Sequence, residues 1–160
     1  MKKYMKRIAF SMCLVALLAG CHKEKADPEG LDYTDHIKLS AKELLFDATA
    51  SKQPVTTEGD FWWMDRAVYV DGKCIDADDP TLKIEMGILD GFDGPTPLRI
   101  EGEWFIITRE ELKRILVEVK ANPTPKERTL VVPLASGNNG QTLTIKQEGY
   151  DRSATARHTF

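Results

Sequence analysis

From Ile37 onward the chain is broken roughly every ten residues by Gly, Pro, Asn or Asp, and only short apolar or β-branched runs stand between the breaks. That rhythm predicts an all-β domain, a sandwich or barrel of many short strands. The expected strands are Lys42–Asp47, Pro54–Thr57, Ala67–Val70, Leu82–Met86, Leu98–Ile100, Trp104–Thr108, Ile115–Lys120, Arg128–Pro133 and Leu143–Gln147. Polar and apolar positions alternate through Leu116–Lys120 and Leu143–Lys146, as in a sheet with one wet face. Asp71-Gly72 and Ser136-Gly137-Asn138-Asn139-Gly140 are the strongest turn signals, because their residues tolerate positive φ. Pro133 cannot donate to a ladder, so its strand is expected to be an edge there or to end. One segment resists the scheme. Thr108 is followed three residues later by Glu111, a capping-box spacing, so a short helix near 109–114 and a charged loop both remain open.

Lys2, Lys3, Lys6 and Arg7 precede an apolar run from Ile8 to Leu18. That run is roughly a dozen residues, short of the ~20 that a spanning helix needs, so it reads as an export signal. Its ending, Leu18-Ala19-Gly20-Cys21, resembles the lipobox of bacterial lipoproteins. The resemblance implies cleavage before Cys21, lipid on Cys21 as the anchor, and a cell-envelope location at the outer membrane. Residues 1–20 are then the signal peptide and residues 21–36 the anchor and a flexible tether, polar and containing Pro28 and Gly30. Four basic and no acidic side chains leave with the signal, which moves the formal net charge from −3 to −7. A mildly acidic chain with no basic stretch argues against nucleic acid as a partner. Cysteine usage agrees with a fold that has no internal disulfide: Cys13 lies in the signal, Cys21 is the anchor, and Cys74 is left alone. Cys74 is expected to be buried or half-buried.

A more specific pattern runs through the chain. Leu44-Leu45-Phe46-Asp47-Ala48 forms a first strand, and Val55 to Trp63 leads into a first tryptophan. Trp104 supplies a later one. Ile115 to Asn122 is a strand closing on Asn, Arg128 opens Thr129-Leu130-Val131-Val132, and Leu143 to Gly149 ends in Gln147-Glu148-Gly149. These features, in this order, resemble the BACON family, immunoglobulin-like modules of exported Bacteroidetes proteins whose name stands for Bacteroidetes-associated carbohydrate-binding often N-terminal. The resemblance implies an immunoglobulin-like β-sandwich over residues 37–149, with 150–160 as a tail. It departs from the family at 64–103, an elaborated or inserted region between the tryptophans. Physical roles can be given to these residues. A tryptophan between sheets fills a core only ~10 Å thick. Asn122 at a strand exit suits left-handed angles and a bond to its own backbone. Gln147 can satisfy an open amide or carbonyl.

Candidate chemistry is sparse. His22, His36 and His158 all lie outside the expected core strands, which gives a histidine triad or a zinc site little support. Glu101 and Glu103 could flank a glycosidic bond in principle, but Gly102 between them suggests a turn. No enzyme and no cofactor are expected. Asp71, Asp76, Asp78 and Asp79 offer oxygen ligands, yet their spacing is not that of a calcium-binding EF-hand loop. A solvated, turn-forming acidic loop is expected there, with no metal. The sharpest functional reading is glycan binding by aromatic rings. Trp62 and Trp63 are neighbours, so on a strand they face opposite ways, one into the core and one outward. An inserted region covering the outward ring is the competing reading. The candidate glycan contacts are Trp62, Trp63, Tyr69 and Phe92, with Trp104 assigned to the core. The alternative is a spacer or protein-docking lipoprotein, since sandwich edges can accept a partner strand.

Overall fold

The computed structural model describes residues 35–151, and the alternation read from the sequence is realised there as two packed β-sheets. Leu130, Val132 and Leu134 on one strand and Leu143 and Ile145 on its neighbour point inward, because side chains alternate at period two. Facing them from the second sheet are Val55, Ile107, Ile115 and Val117, all fully buried. Each such side chain contributes about 1.5–3 kcal/mol when taken out of water.

The strands are β1 (Glu43–Phe46), β2 (Ser51–Thr56), β3 (Trp63–Met64), β4 (Val68–Val70), β5 (Lys73–Ile75), β6 (Lys83–Gly87), β7 (Thr96–Glu101), β8 (Phe105–Glu111), β9 (Arg114–Val119), β10 (Arg128–Ser136) and β11 (Asn139–Gln147). One sheet has the order β1-β11-β10-β4-β5, with the short β3 also paired to β10. The other has the order β2-β9-β8-β7-β6. β1 runs parallel to β11, and the remaining pairs are antiparallel. The segment 64–103 is built into both layers: β4 and β5 lie at the end of one sheet, and β6 and β7 at the end of the other. The nine residues of β10 span roughly 27 Å at ~3.3 Å per residue. They define two ends of the sandwich, one at Arg128 and one at Ser136.

The turns follow their residues. Asp71 and Gly72 both take positive φ, 48° and 80°, as a type I′ hairpin between β4 and β5 requires. Asp71 Oδ1 also accepts the Thr129 N–H at 2.8 Å, tying this hairpin to β10. Gly149 answers a different demand. A Cβ there would lie 2.2 Å from the Pro125 carbonyl carbon, so the glycine of Gln147-Glu148-Gly149 allows two backbones to touch.

Four expectations need correction. Residues 109–114 are neither helix nor open loop, and the described residues contain no helix. β8 runs on to Glu111, a two-residue loop of Leu112 and Lys113 turns the chain, and β9 begins at Arg114. Phe105, Ile107 and Arg109 face inward together, and that period-two set, once buried, outweighs a local cap on a single costly helical turn. Pro133 neither ends β10 nor lies at an edge. Its carbonyl accepts from Asp65 N at 3.0 Å, so its missing N–H falls on the same side, at the break between β3 and β4. Asn122 is absent from the residues with positive φ; its side chain organises the turn instead. Cys74 is exposed, because β5 is an edge strand and Cys74 points off the outer face beside its cross-strand partner Tyr69.

Candidate functional site

Between β2 and β3, Gly59 to Trp62 has no ladder of its own, yet each of its four carbonyls is held by a side chain. Thr57 Oγ1 donates to Gly59 O at 2.6 Å and accepts from the Trp62 indole Nε1–H at 3.0 Å. Arg109 donates through one guanidinium nitrogen to Asp60 O and Leu112 O, each at 2.9 Å, and through the other to Trp62 O. Ser136 Oγ donates to Phe61 O at 2.6 Å. The result is a sharply divided pair: Trp62 is 0% exposed and Phe61 is 50% exposed.

Phe61 does not stand alone. Its ring stacks on Phe92 with centroids 4.7 Å apart and an interplanar angle of 16°. Trp63 meets both edge-on, 6.0 Å from Phe61 and 6.1 Å from Phe92. Such offset and T-shaped arrangements are the favoured ones for aromatic quadrupoles. Phe92 arrives from the loop between β6 and β7, where Gly91 has φ +87°. Around the three rings lies an open hollow of about 440 Å³, bordered by Asp65, Arg66, Asp93 and Thr96. Thr96 Oγ1 is buried there without a protein partner. Beneath the rings, the Arg109 guanidinium lies 3.8 Å from the Trp62 ring centroid and 5.7 Å from that of Phe92. Burial lowers the Arg109 pKa to about 10, partly offset by Asp60, so the group stays cationic at neutral pH.

The opposite end is built from similar parts. Arg128 lies over Trp104 at 4.4 Å, and Trp104 packs edge-on against Phe105 at 5.3 Å, with both rings buried. Arg128 Nε donates to Gln147 Oε1 at 2.9 Å, and Gln147 Nε2 donates to Lys120 O and Thr49 O at 3.0 and 3.2 Å. The buried Asn122 donates to Lys126 O and Glu148 O and accepts from Thr124. Burial lowers the Arg128 pKa, with Glu103 and Asp71 opposing. A cleft of about 280 Å³ runs past these residues, between Asp71, Leu82, Glu103 and Lys126.

The structure brings together two of the four candidate contacts, Trp63 and Phe92. Trp62 is the inward member of its pair and is too deep to touch a ligand. Tyr69 is exposed on β4 but does not border the hollow. Cys21 lies outside the described residues. Two contributors escaped the sequence reading. Phe61 was legible in principle, since with Trp62 inward both its neighbours should face out. Arg109 carried no such signal, because its partners Asp60 and Trp62 lie 49 and 47 residues away.

The other candidates take local roles. Asp76 Oδ1 accepts from Asp78 N, and Asp79 Oδ1 accepts from Thr81 N and Oγ1. Those Thr81 bonds lower the Asp79 pKa. Glu101 is paired with Arg99 at 2.9 Å, and Glu103 lies exposed on the turn beyond Gly102. Among the described residues no three His, Cys, Asp or Glu side chains are grouped so as to hold a metal ion.

No family model matches the chain, and no curated protein matches it. Solved structures do. The NMR structure of a protein from Bacteroides thetaiotaomicron superposes with a TM-score of 0.58 at 19% identity, covering 81% of this chain and 98% of that one. At that identity the likeness shows a shared fold. A Bacteroides ovatus GH5 xyloglucanase, in complex with an XXXG heptasaccharide, aligns with a TM-score of 0.36 at 23% identity. That alignment covers 69% of this chain and 18% of the xyloglucanase chain, and nothing about this chain follows from it.

Proposed function

We propose that this protein is a non-catalytic, BACON-like glycan-binding module of a cell-envelope lipoprotein, anchored through Cys21, with Phe61, Trp63 and Phe92 as its sugar platform. The ligand would be a host mucin or a polysaccharide. One observation carries the reading: three rings from two separate segments converge on an open hollow rimmed by Asp65, Arg66 and Asp93. Ring faces suit the apolar faces of pyranoses, and the rim groups suit their hydroxyls. An open hollow also suits binding better than chemistry, which gains from excluding water. The lipobox-like Leu18–Cys21 and the BACON-like order of motifs support the address and the class.

A protein-docking role is the second reading. It is favoured by β6, an edge strand that carries Met86 near its end and is followed by Ile88, 39% and 79% exposed. Such an edge can accept a partner strand. Intrinsic tryptophan fluorescence, titrated with a panel of host and plant polysaccharides, separates the two. A saturable change that disappears in Phe61→Ala and in Trp63→Ala supports glycan binding. No response to any glycan, in a protein that still folds, turns the assignment toward docking.

A further inference from the structure

The polar investment beneath the aromatic hollow is larger than a core needs. Trp62 could be buried by apolar contact alone, yet Arg109 is buried with it, a cation whose two terminal nitrogens donate to neutral carbonyls while its buried Nε has no partner. Desolvating a guanidinium is costly unless its donors are used. Four donations are made here on the Phe61 segment: Thr57 to Gly59, Arg109 to Asp60 and Trp62, and Ser136 to Phe61. Arg109 thus grips the carbonyls on both sides of Phe61. Its third bond, to Leu112 O, fixes the β8–β9 turn to the same point. From below, its guanidinium faces Phe92, the ring on which Phe61 stacks. Both ring-bearing segments therefore meet one planar, forked group.

We propose that Arg109 is a positioning residue that preforms the aromatic platform, holding Phe61 outward and stacked on Phe92 before any ligand arrives. Its purpose rests on the reading of the hollow as a ligand site, but its geometry is testable in the free protein. A bound ring then loses little freedom on contact, which is where preorganisation gains affinity. Lysine cannot substitute, because one ammonium on a flexible stem does not fork across two carbonyls as a planar guanidinium does.

The test compares the full chain with Arg109→Met, Arg109→Lys, Ser136→Ala and Val132→Ala, reading ring-to-ring NMR contacts between Phe61 and Phe92 alongside thermal unfolding. Arg109→Met is expected to lose those contacts and the ring-current shifts of both phenylalanines, while contacts across Val132 and Leu143 persist. Ser136→Ala should weaken them in part. Val132→Ala, a core truncation between the other sheet partners, should lower stability yet keep the rings stacked. Retention of the stack in Arg109→Met overturns the proposal. If that variant does not fold, Arg109→Lys decides: loss of the stack supports the proposal, and retention overturns it. The glycan reading fails separately, if Phe61→Ala leaves glycan affinity unchanged. Where a glycan binds, Arg109→Lys should weaken it about tenfold.

Discussion

The two ends of the sandwich use one device for different purposes. At each end an arginine lies over a buried tryptophan, Arg109 over Trp62 and Arg128 over Trp104, and each donates to loop carbonyls. At the Trp104 end the network closes on itself. Arg128 and Gln147 bond each other and share the Lys120 carbonyl, Asn122 ties Lys126 to Glu148, and the two packed rings, Trp104 and Phe105, are both covered. At the Trp62 end the same kind of capture holds a ladderless segment so that Phe61 projects into solvent against Phe92 and Trp63. A buried arginine can thus serve as a seal or as a mount. What separates the two is whether the segment it grips carries an exposed ring.

That contrast can be broken first by truncating the rings. Trp62→Ala should cost about 3–5 kcal/mol of unfolding free energy by denaturant titration, the range for a large buried aromatic. Phe61→Ala, next in the chain, should cost less than about 1 kcal/mol, as exposed substitutions do, while abolishing glycan-dependent signals. Equal stability costs at the two positions would make Phe61 a core residue and remove the contrast. At the other end, Gln147→Ala strands Arg128 Nε and takes away the side-chain donor to Thr49 O and one of the two to Lys120 O. It should cost about 2–3 kcal/mol, in line with unsatisfied buried polar groups, and leave glycan affinity unchanged.

The smallest effect concerns Asp79, whose side-chain hydrogen bonds stay within its own loop. Thr81 holds the Asp79 pKa below its usual 3.8, so Thr81→Val should raise it toward that value in a carboxyl-carbon NMR titration. The sign follows from linkage. A depressed folded pKa adds stability at pH values above 3.8, and that stability is lost as pH falls through the folded value. The wild type should therefore show a steeper loss below that pH than Thr81→Val. An unmoved Asp79 pKa would show that the Thr81 hydroxyl bond does not persist in solution.

Much of the fold was legible because strands announce themselves by alternation and turn chemistry. The runs at Leu116–Lys120 and Leu143–Lys146, and the Asp71-Gly72 hairpin, fall where the pattern put them. β3 and β5 went unseen, since two- and three-residue strands exist only through pairing with β10 and β4. Thr108 and Glu111 imitate a helix cap locally, and only the inward set of Phe105, Ile107 and Arg109 shows the strand. The site was half legible. Aromatic residues stand out in a sequence, whereas a cation buried against carbonyls almost fifty positions away is a property of the fold.

The most direct measurement follows the three indole N–H resonances of Trp62, Trp63 and Trp104 during titration of the full chain with the polysaccharide panel. A preformed platform at the Phe61 end predicts a saturable shift of the Trp63 indole, with Trp104 unmoved and the response absent in Phe61→Ala. A shift centred on Trp104, or none at Trp63 with any glycan, would contradict the account.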